Sequence, residues 1–363
     1  MTTFHCSNCH RPYPHEGLPH LCPHCGGVYA LASPIDYDPQ HLEPHQPGLW
    51  RYRHSFGLSE GAPVTSLGEG NTPLVRTRAF DRDLYFKLEY LNPTGSFKDR
   101  GTAPLIAELQ ARGVQTAVED SSGNAGASFA GYAARAGMQA RVFVPDSASG
   151  PKRAQIAAYG AELVSILGPR SAAADAVRRA AGEGAFYASH ALLPFGLPGL
   201  ATIAYELVEA LGRAPGTVLA PVGHGSLLLG VALGFEALQA AGIIQHQPQM
   251  IGVQARACAP LWAVAGMGPA GLSMMSEGQT LAEGVRVSKP VRGDELLRRV
   301  QASGGRFLAV DEEAILPGRN ALAALGFYVE PTSAIVWGAL DEIAGEAPEP
   351  IVIVLTGSGL KAA

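Results

Sequence analysis

The chain has 363 residues, 47% of them hydrophobic and 16% charged, which is enough apolar material for two domains with buried cores and too much for extended disorder. Its 27 basic and 32 acidic side chains leave a formal charge of −5, too mild a balance for nucleic acid or a membrane surface as the main partner. No apolar run reaches the ~18 residues a membrane span needs, and the opening Met-Thr-Thr-Phe-His-Cys lacks the basic and apolar regions of a secretory signal, so a cytoplasmic protein is expected.

Residues 1–30 read as a small separate module. Four of the five cysteines lie here as two Cys-x-x-Cys pairs, Cys6 with Cys9 and Cys22 with Cys25, twelve residues apart. Two such hairpins can place four thiolates around one tetrahedral zinc, and Gly26 and Gly27 permit the tight turn that aims backbone N–H groups at sulfur. With all four positions filled by cysteine none is left open for catalysis, so the expected metal is structural and the compartment reducing. His5, His10, His20 and His24 lie nearby, but four thiolates make them unnecessary as ligands. Residues 31–65, rich in Pro, His and aromatics, read as an extension over the body.

From about residue 70, short β-rich runs alternate with Ala-rich helical stretches. Strands are expected at 84–88, 116–119, 140–144, 162–166, 217–222, 250–254 and 351–355, and helices at 125–136, 151–159, 172–181, 199–211 and 227–241. That alternation is the signature of an α/β protein with mainly parallel sheets.

Three loops carry chemistry. In Asn92-Pro93-Thr94-Gly95-Ser96-Phe97-Lys98-Asp99-Arg100-Gly101, Pro and Gly set a turn and Ser96 is expected to cap a helix starting near Phe97. Lys98 then sits at the positive end of a helix dipole, which disfavours the ammonium form, and a neutral amine is what condensation with an aldehyde requires. The loop Ser121-Ser122-Gly123-Asn124-Ala125-Gly126 joins a strand to a helix, so the N–H groups of Ser122, Gly123, Asn124 and Ala125 suit a carboxylate. In Gly223-His224-Gly225-Ser226, small residues before another helix let the backbone approach a phosphate. Its glycines do not follow the G-x-G-x-x-G spacing, and the strand at 250–254 ends without the acidic residue a ribose needs, which argues against a dinucleotide.

With Gly70-Asn71-Thr72-Pro73-Leu74, Glu330-Pro331-Thr332-Ser333-Ala334 and Leu355-Thr356-Gly357-Ser358-Gly359-Leu360-Lys361 in the expected order, the chain from about residue 65 onward resembles the threonine synthases and their relatives among the fold-type-II pyridoxal 5'-phosphate (PLP) enzymes, the tryptophan synthase β-like group. The cysteine module is similar to one found in many threonine synthase-like chains. The resemblance implies a two-domain PLP enzyme of amino-acid biosynthesis, with a large domain over 31–102 plus 189–363 and a small one over 103–188. It implies that Lys98 holds the cofactor and moves the substrate's α-proton, that Asn124 meets the cofactor's ring oxygen, and that Gly223, His224, Gly225 and Ser226 hold its phosphate. Thr356 would set a neutral hydroxyl against the pyridine nitrogen, favouring elimination and replacement over transamination, with Ser358 as second candidate. A homodimer is expected by the same analogy.

The implied activity is that of a carbon–oxygen lyase turning O-phosphohomoserine and water into threonine and phosphate. One segment departs from the pattern. Threonine synthases usually carry Asn-Pro-x-Arg-x-Glu-Gly-x-Lys-Thr, part of which grips the substrate's phosphate; here the asparagine, arginine and lysine positions are Leu193, Gly196 and Ala201. His190 and His224 are the candidates to compensate. Thr280-Leu281-Ala282-Glu283-Gly284-Val285-Arg286-Val287 looks as much like a serine or threonine dehydratase as a synthase, so β-elimination or β-replacement on another amino acid is the second expectation. A third, of another class, is a non-catalytic docking or regulatory protein built on the zinc ribbon.

Overall fold

The computed structural model describes residues 3–146, 150–168, 170–275 and 277–361. In chain order the strands and helices are β1 (Phe4–Cys6), β2 (Tyr29–Leu31), β3 (Leu74–Ala79), β4 (Arg82–Leu88), α1 (Lys98–Ala111), β5 (Thr116–Glu119), α2 (Asn124–Arg135), β6 (Gln139–Pro145), α3 (Gly150–Ala158), β7 (Glu162–Ile166), α4 (Arg170–Gly182) and β8 (Phe186–Tyr187). They continue with α5 (Leu197–Leu211), β9 (Thr217–Pro221), α6 (Ser226–Ala240), β10 (Gln249–Ala255), α7 (Pro260–Met267), α8 (Gly293–Ala302), β11 (Arg306–Val310), α9 (Glu312–Ala324), α10 (Pro331–Ile343) and β12 (Ile351–Leu355). Among the described residues no helix is long and apolar enough to cross a membrane.

Two compact units result, one of residues 1–70 with 92–199, the other of 71–91 with 200–363. These boundaries differ from the expected ones. Residues 71–91 alone of the early chain supply strands to the larger sheet, whereas 92–102 turn away and pack with α2.

The first unit holds a four-stranded parallel sheet in the order β7-β6-β5-β8. Its apolar cluster gathers Val118, Phe143, Val177 and Tyr187. The β1–β2 hairpin belongs to the same unit, as do residues 31–65, whose Trp50, Tyr52 and Phe56 are wholly buried. Trp50 Nε1 donates to Glu69 Oε1 at 2.7 Å and Tyr132 OH donates to Glu69 Oε2 at 2.6 Å, so this buried carboxylate is satisfied by two aromatic donors.

The second unit is a six-stranded sheet, β11-β10-β9-β12-β4-β3, parallel except for edge strand β3. Strands buried on both faces read as unbroken apolar runs, and Ile351-Val352-Ile353-Val354-Leu355 sits between β9 and β4 for that reason. Beneath it α10 contributes Ile335, Val336 and Leu340 to the core.

Candidate active site

In the first unit the chemistry gathers where strands end. β5 finishes at Glu119, the chain turns through 120–123, and α2 begins at Asn124 with Gly123 as its N-cap. The first N–H groups of a helix have no intrahelical partner, and Gly123, Asn124 and Ala125 occupy that end of α2, with Ser122 in the turn before it. Gly126 is required by packing: a Cβ there would stand 1.8 Å from the carbonyl oxygen of Ser121.

Lys98 is the first residue of α1, as expected, but Ser96 is not the cap. Phe97 already has helical angles (φ −54°, ψ −18°) and occupies the N-cap position, while Ser96 Oγ is buried without a hydrogen-bond partner. Asp99 organises the turn instead, accepting from Thr94 N at 2.7 Å and from the hydroxyls of Thr94 at 2.5 Å and Ser128 at 2.7 Å. Ser128 lies in α2 and also donates to Thr102 Oγ1 of α1 at 2.8 Å, so the start of α1 is tied to the first turns of α2. The start of α1, with Lys98 as its first residue, is thereby held to the helix that follows the 120–123 turn. Lys98 Nζ lies 4.7 Å from the ring centre of Phe97.

The chain has five lysines, which narrows the choice of amine. Lys87 is buried, its Nζ donating to Glu206 Oε2 at 2.6 Å and to Thr72 O at 2.7 Å. Lys289 is exposed. Of the five, Lys98 is the one that opens a helix, in the same unit as the loop at 121–126.

In the second unit β9 and β12 are parallel neighbours, so the loop after β9 and the residue after β12 reach the same sheet edge. The first is Gly223-His224-Gly225-Ser226, with Gly225 at φ +94° as the N-cap of α6. That conformation favours glycine, and it leaves the N–H groups opening α6 directed outward. The second is Thr356, whose N–H donates to Ser333 Oγ at 2.8 Å. Ser226 Oγ and Thr356 Oγ1 are both buried without a hydrogen-bond partner. Buried hydroxyls are normally satisfied, so two orphans at one sheet edge fit a group with polar atoms of its own. Around them Gly284 N donates to Thr332 Oγ1 at 2.9 Å, and Glu330 N to Gly357 O at 3.0 Å. Arg292, whose N–H reaches His224 O at 3.4 Å, is fully buried, and burial pulls its guanidinium down to about 10 against the opposing charge of Glu295. The sequence signals at 280–287 and 330–334 thus gather near Thr356, while Arg292 carried no signal that could have found it.

The segment lacking the phosphate grip is built closed. A Cβ on Gly196 would meet Gly101 O at 3.0 Å, and one on Gly199 would meet Arg100 O at 1.9 Å. Leu193 and Ala201 are buried. An arginine at 196 would crowd the backbone of Gly101, and a lysine at 201 would have to replace a wholly buried alanine.

The four cysteine sulfurs lie within 4.8 Å of one another, with Cys6 to Cys25 at 3.4 Å and Cys9 to Cys22 at 3.7 Å. A tetrahedral zinc with thiolates at ~2.3 Å needs sulfurs about 3.8 Å apart, and the cluster fits. Gly27 is needed here, since a Cβ would approach Cys6 Sγ to 2.6 Å. Burial raises the Cys22 thiol, yet N–H groups of His24 and Cys25 and the neighbouring thiols outweigh it and bring it to about 6. None of the four nearby histidines joins the cluster; His20 stacks edge-on against Tyr187, ring centres 5.2 Å apart.

Residues 65–357 match the model of one family, described as pyridoxal-phosphate dependent enzyme. The chain is 32% identical to a threonine synthase of Methanocaldococcus jannaschii, over 98% of this chain and 92% of that one. It is 35% identical to a threonine synthase of Synechocystis sp., over 85% of this chain and 82% of that one. Among solved structures it is similar to a T.th. threonine deaminase, with TM-score 0.67, 29% identity, and coverage of 79% of this chain and 92% of that one. Maize serine racemase shares the fold at TM-score 0.68 and 24% identity, over 79% and 88%.

Proposed function

The chain belongs to the pyridoxal-phosphate dependent enzymes, and from that premise we propose that it is a carbon–oxygen lyase of threonine synthase type, converting O-phosphohomoserine and water into threonine and phosphate. The observation that carries this is the extent of the likeness to threonine synthases, 98% of the chain including the cysteine module, together with Lys98 at the head of α1.

Bound PLP supplies an electron sink that lets an amino acid lose its α-proton and a side-chain leaving group. The residues present fit such a group, given the two orphaned hydroxyls and the glycine loop at one sheet edge. Lys98 holds the cofactor through its amine and takes and returns the α-proton at Nζ. Gly223, His224, Gly225 and Ser226 hold the cofactor's phosphate through N–H groups and the Ser226 hydroxyl. Asn124 orients the ring through its phenolic oxygen, and Thr356 Oγ1 meets the pyridine nitrogen as a neutral partner, which suits elimination and replacement. Ser122, Gly123, Asn124 and Ala125 carry the substrate carboxylate. The active form is a homodimer.

A panel assay tests the reaction. With O-phosphohomoserine the holoenzyme should release phosphate and threonine in equal amounts. Ammonia with 2-oxobutyrate from threonine, and no phosphate release, would assign the chain instead to the dehydratases, the reading that 280–287 fits equally and that the likeness to threonine deaminase supports.

Cys6, Cys9, Cys22 and Cys25 hold a structural zinc. Elemental analysis should find about one zinc per chain, falling towards none in Cys22→Ser, with the thermal midpoint lowered and the cofactor's absorbance kept.

A further inference from the structure

We propose that Glu119 and His190 form the subsite for the phosphate on the substrate's side chain, His190 contacting the phosphate and Glu119 acting as its positioning residue; this presupposes the phosphorylated substrate proposed above. β5 and β8 are adjacent and parallel, with Val118 opposite Tyr187, so residues following each strand emerge at one sheet edge. There His190 Nδ1 lies 2.6 Å from Glu119 Oε1, and the Ser122–Ala125 end begins three residues beyond Glu119. A second bond, Tyr187 OH to Asp120 Oδ1 at 2.8 Å, fastens the same two strand ends. The pair thus stands at the root of the loop that takes the substrate carboxylate, on the edge where α/β sheets bind ligands.

The chemistry follows from which atoms can donate. When Glu119 is ionised its carboxylate only accepts, and the bond to His190 then takes its proton from Nδ1. That fixes the ring's tautomer and orientation and makes Nε2 the nitrogen that exchanges a proton. The Glu119 side chain is 1% exposed and that of His190 17%, so the carboxylate is sealed while part of the ring reaches accessible space. Protonated at Nε2, the ring donates to Glu119 on one side and to a phosphate on the other, two charge-assisted bonds. In the stretch 186–202, which holds the closed Leu193, Gly196 and Ala201 positions, His190 is the one residue able to carry positive charge.

The test uses the holoenzyme and an unreactive probe, the phosphonate in which a methylene replaces the ester oxygen of O-phosphohomoserine, with norvaline as the same skeleton lacking the phosphonate. Calorimetry gives the ratio of the two dissociation constants. In H190A that ratio should fall about tenfold or more, the weight of one charge-assisted hydrogen bond, with norvaline affinity kept. E119Q, which keeps an acceptor but removes the charge, should lower it by less. An unchanged ratio in H190A overturns the proposal, as does a wild-type enzyme that binds norvaline and the phosphonate equally. If the wild type prefers the phosphonate, H190A loses that preference, and no phosphate is released from O-phosphohomoserine, the subsite stands and the synthase reaction falls.

Discussion

Lys98→Ala should leave a folded protein without the absorbance of lysine-bound cofactor and with turnover lower by on the order of a thousandfold or more, since both the covalent anchor and the proton carrier are lost. Lys98→Arg sharpens the result. A guanidinium remains protonated and cannot condense with an aldehyde, yet it preserves length and charge at the start of α1. Both variants should keep the native near-ultraviolet circular dichroism, because the turn is organised by Asp99, Thr94 and Ser128 and not by the lysine. Retention of the band in either variant would transfer the role to another amine. Lys87 is the nearest rival along the chain, and its bonds to Glu206 and Thr72 already commit it.

That commitment yields the second large effect. Lys87 and Glu206 side chains are 3% and 4% exposed, and Glu206 Oε1 also accepts from Asn71 N at 2.8 Å. Removing one member strands a buried charge. Lys87→Met or Glu206→Gln should each destabilise the second unit by about 3–5 kcal/mol, read as a lowered urea midpoint. The double variant Lys87→Met with Glu206→Leu should recover part of the loss, because two apolar side chains incur no desolvation of charge. Additive losses in the double variant would mean that each residue acts through separate contacts. Because Asn71 and Thr72 hang from this pair, the single variants should also disturb the 70–74 turn.

Much of the fold was legible because parallel strands are buried on both faces. Thr217-Val218-Leu219-Ala220-Pro221 and Ile351-Val352-Ile353-Val354-Leu355 are buried throughout and announce themselves as apolar runs. β3 does not, since Arg76 and Arg78 point outward from an edge and the alternation resembles a loop. β8 has two residues and leaves no period to detect. The candidate loops at 121–126 and 223–226 were legible as strand-to-helix connections whose glycines have a mechanical reason, at Gly126 and Gly225 above all. Pairings across long separations were not. Glu119 with His190 spans 71 residues and Lys87 with Glu206 spans 119, and no local pattern marks either.

The position of β12 has a consequence for biosynthesis. β4 is made early, yet the strand that pairs with it inside the sheet is residues 351–355, and the same strand is the bridge to β9. Until the ribosome has extruded that segment, 82–88 has only the antiparallel partner β3, and an apolar flank stays open. The α/β layer of 92–199 has all its strands long before then and can condense first. Synthesis therefore imposes a waiting period on the half of the protein that carries Thr356, during which chaperone engagement or aggregation competes with closure of the sheet.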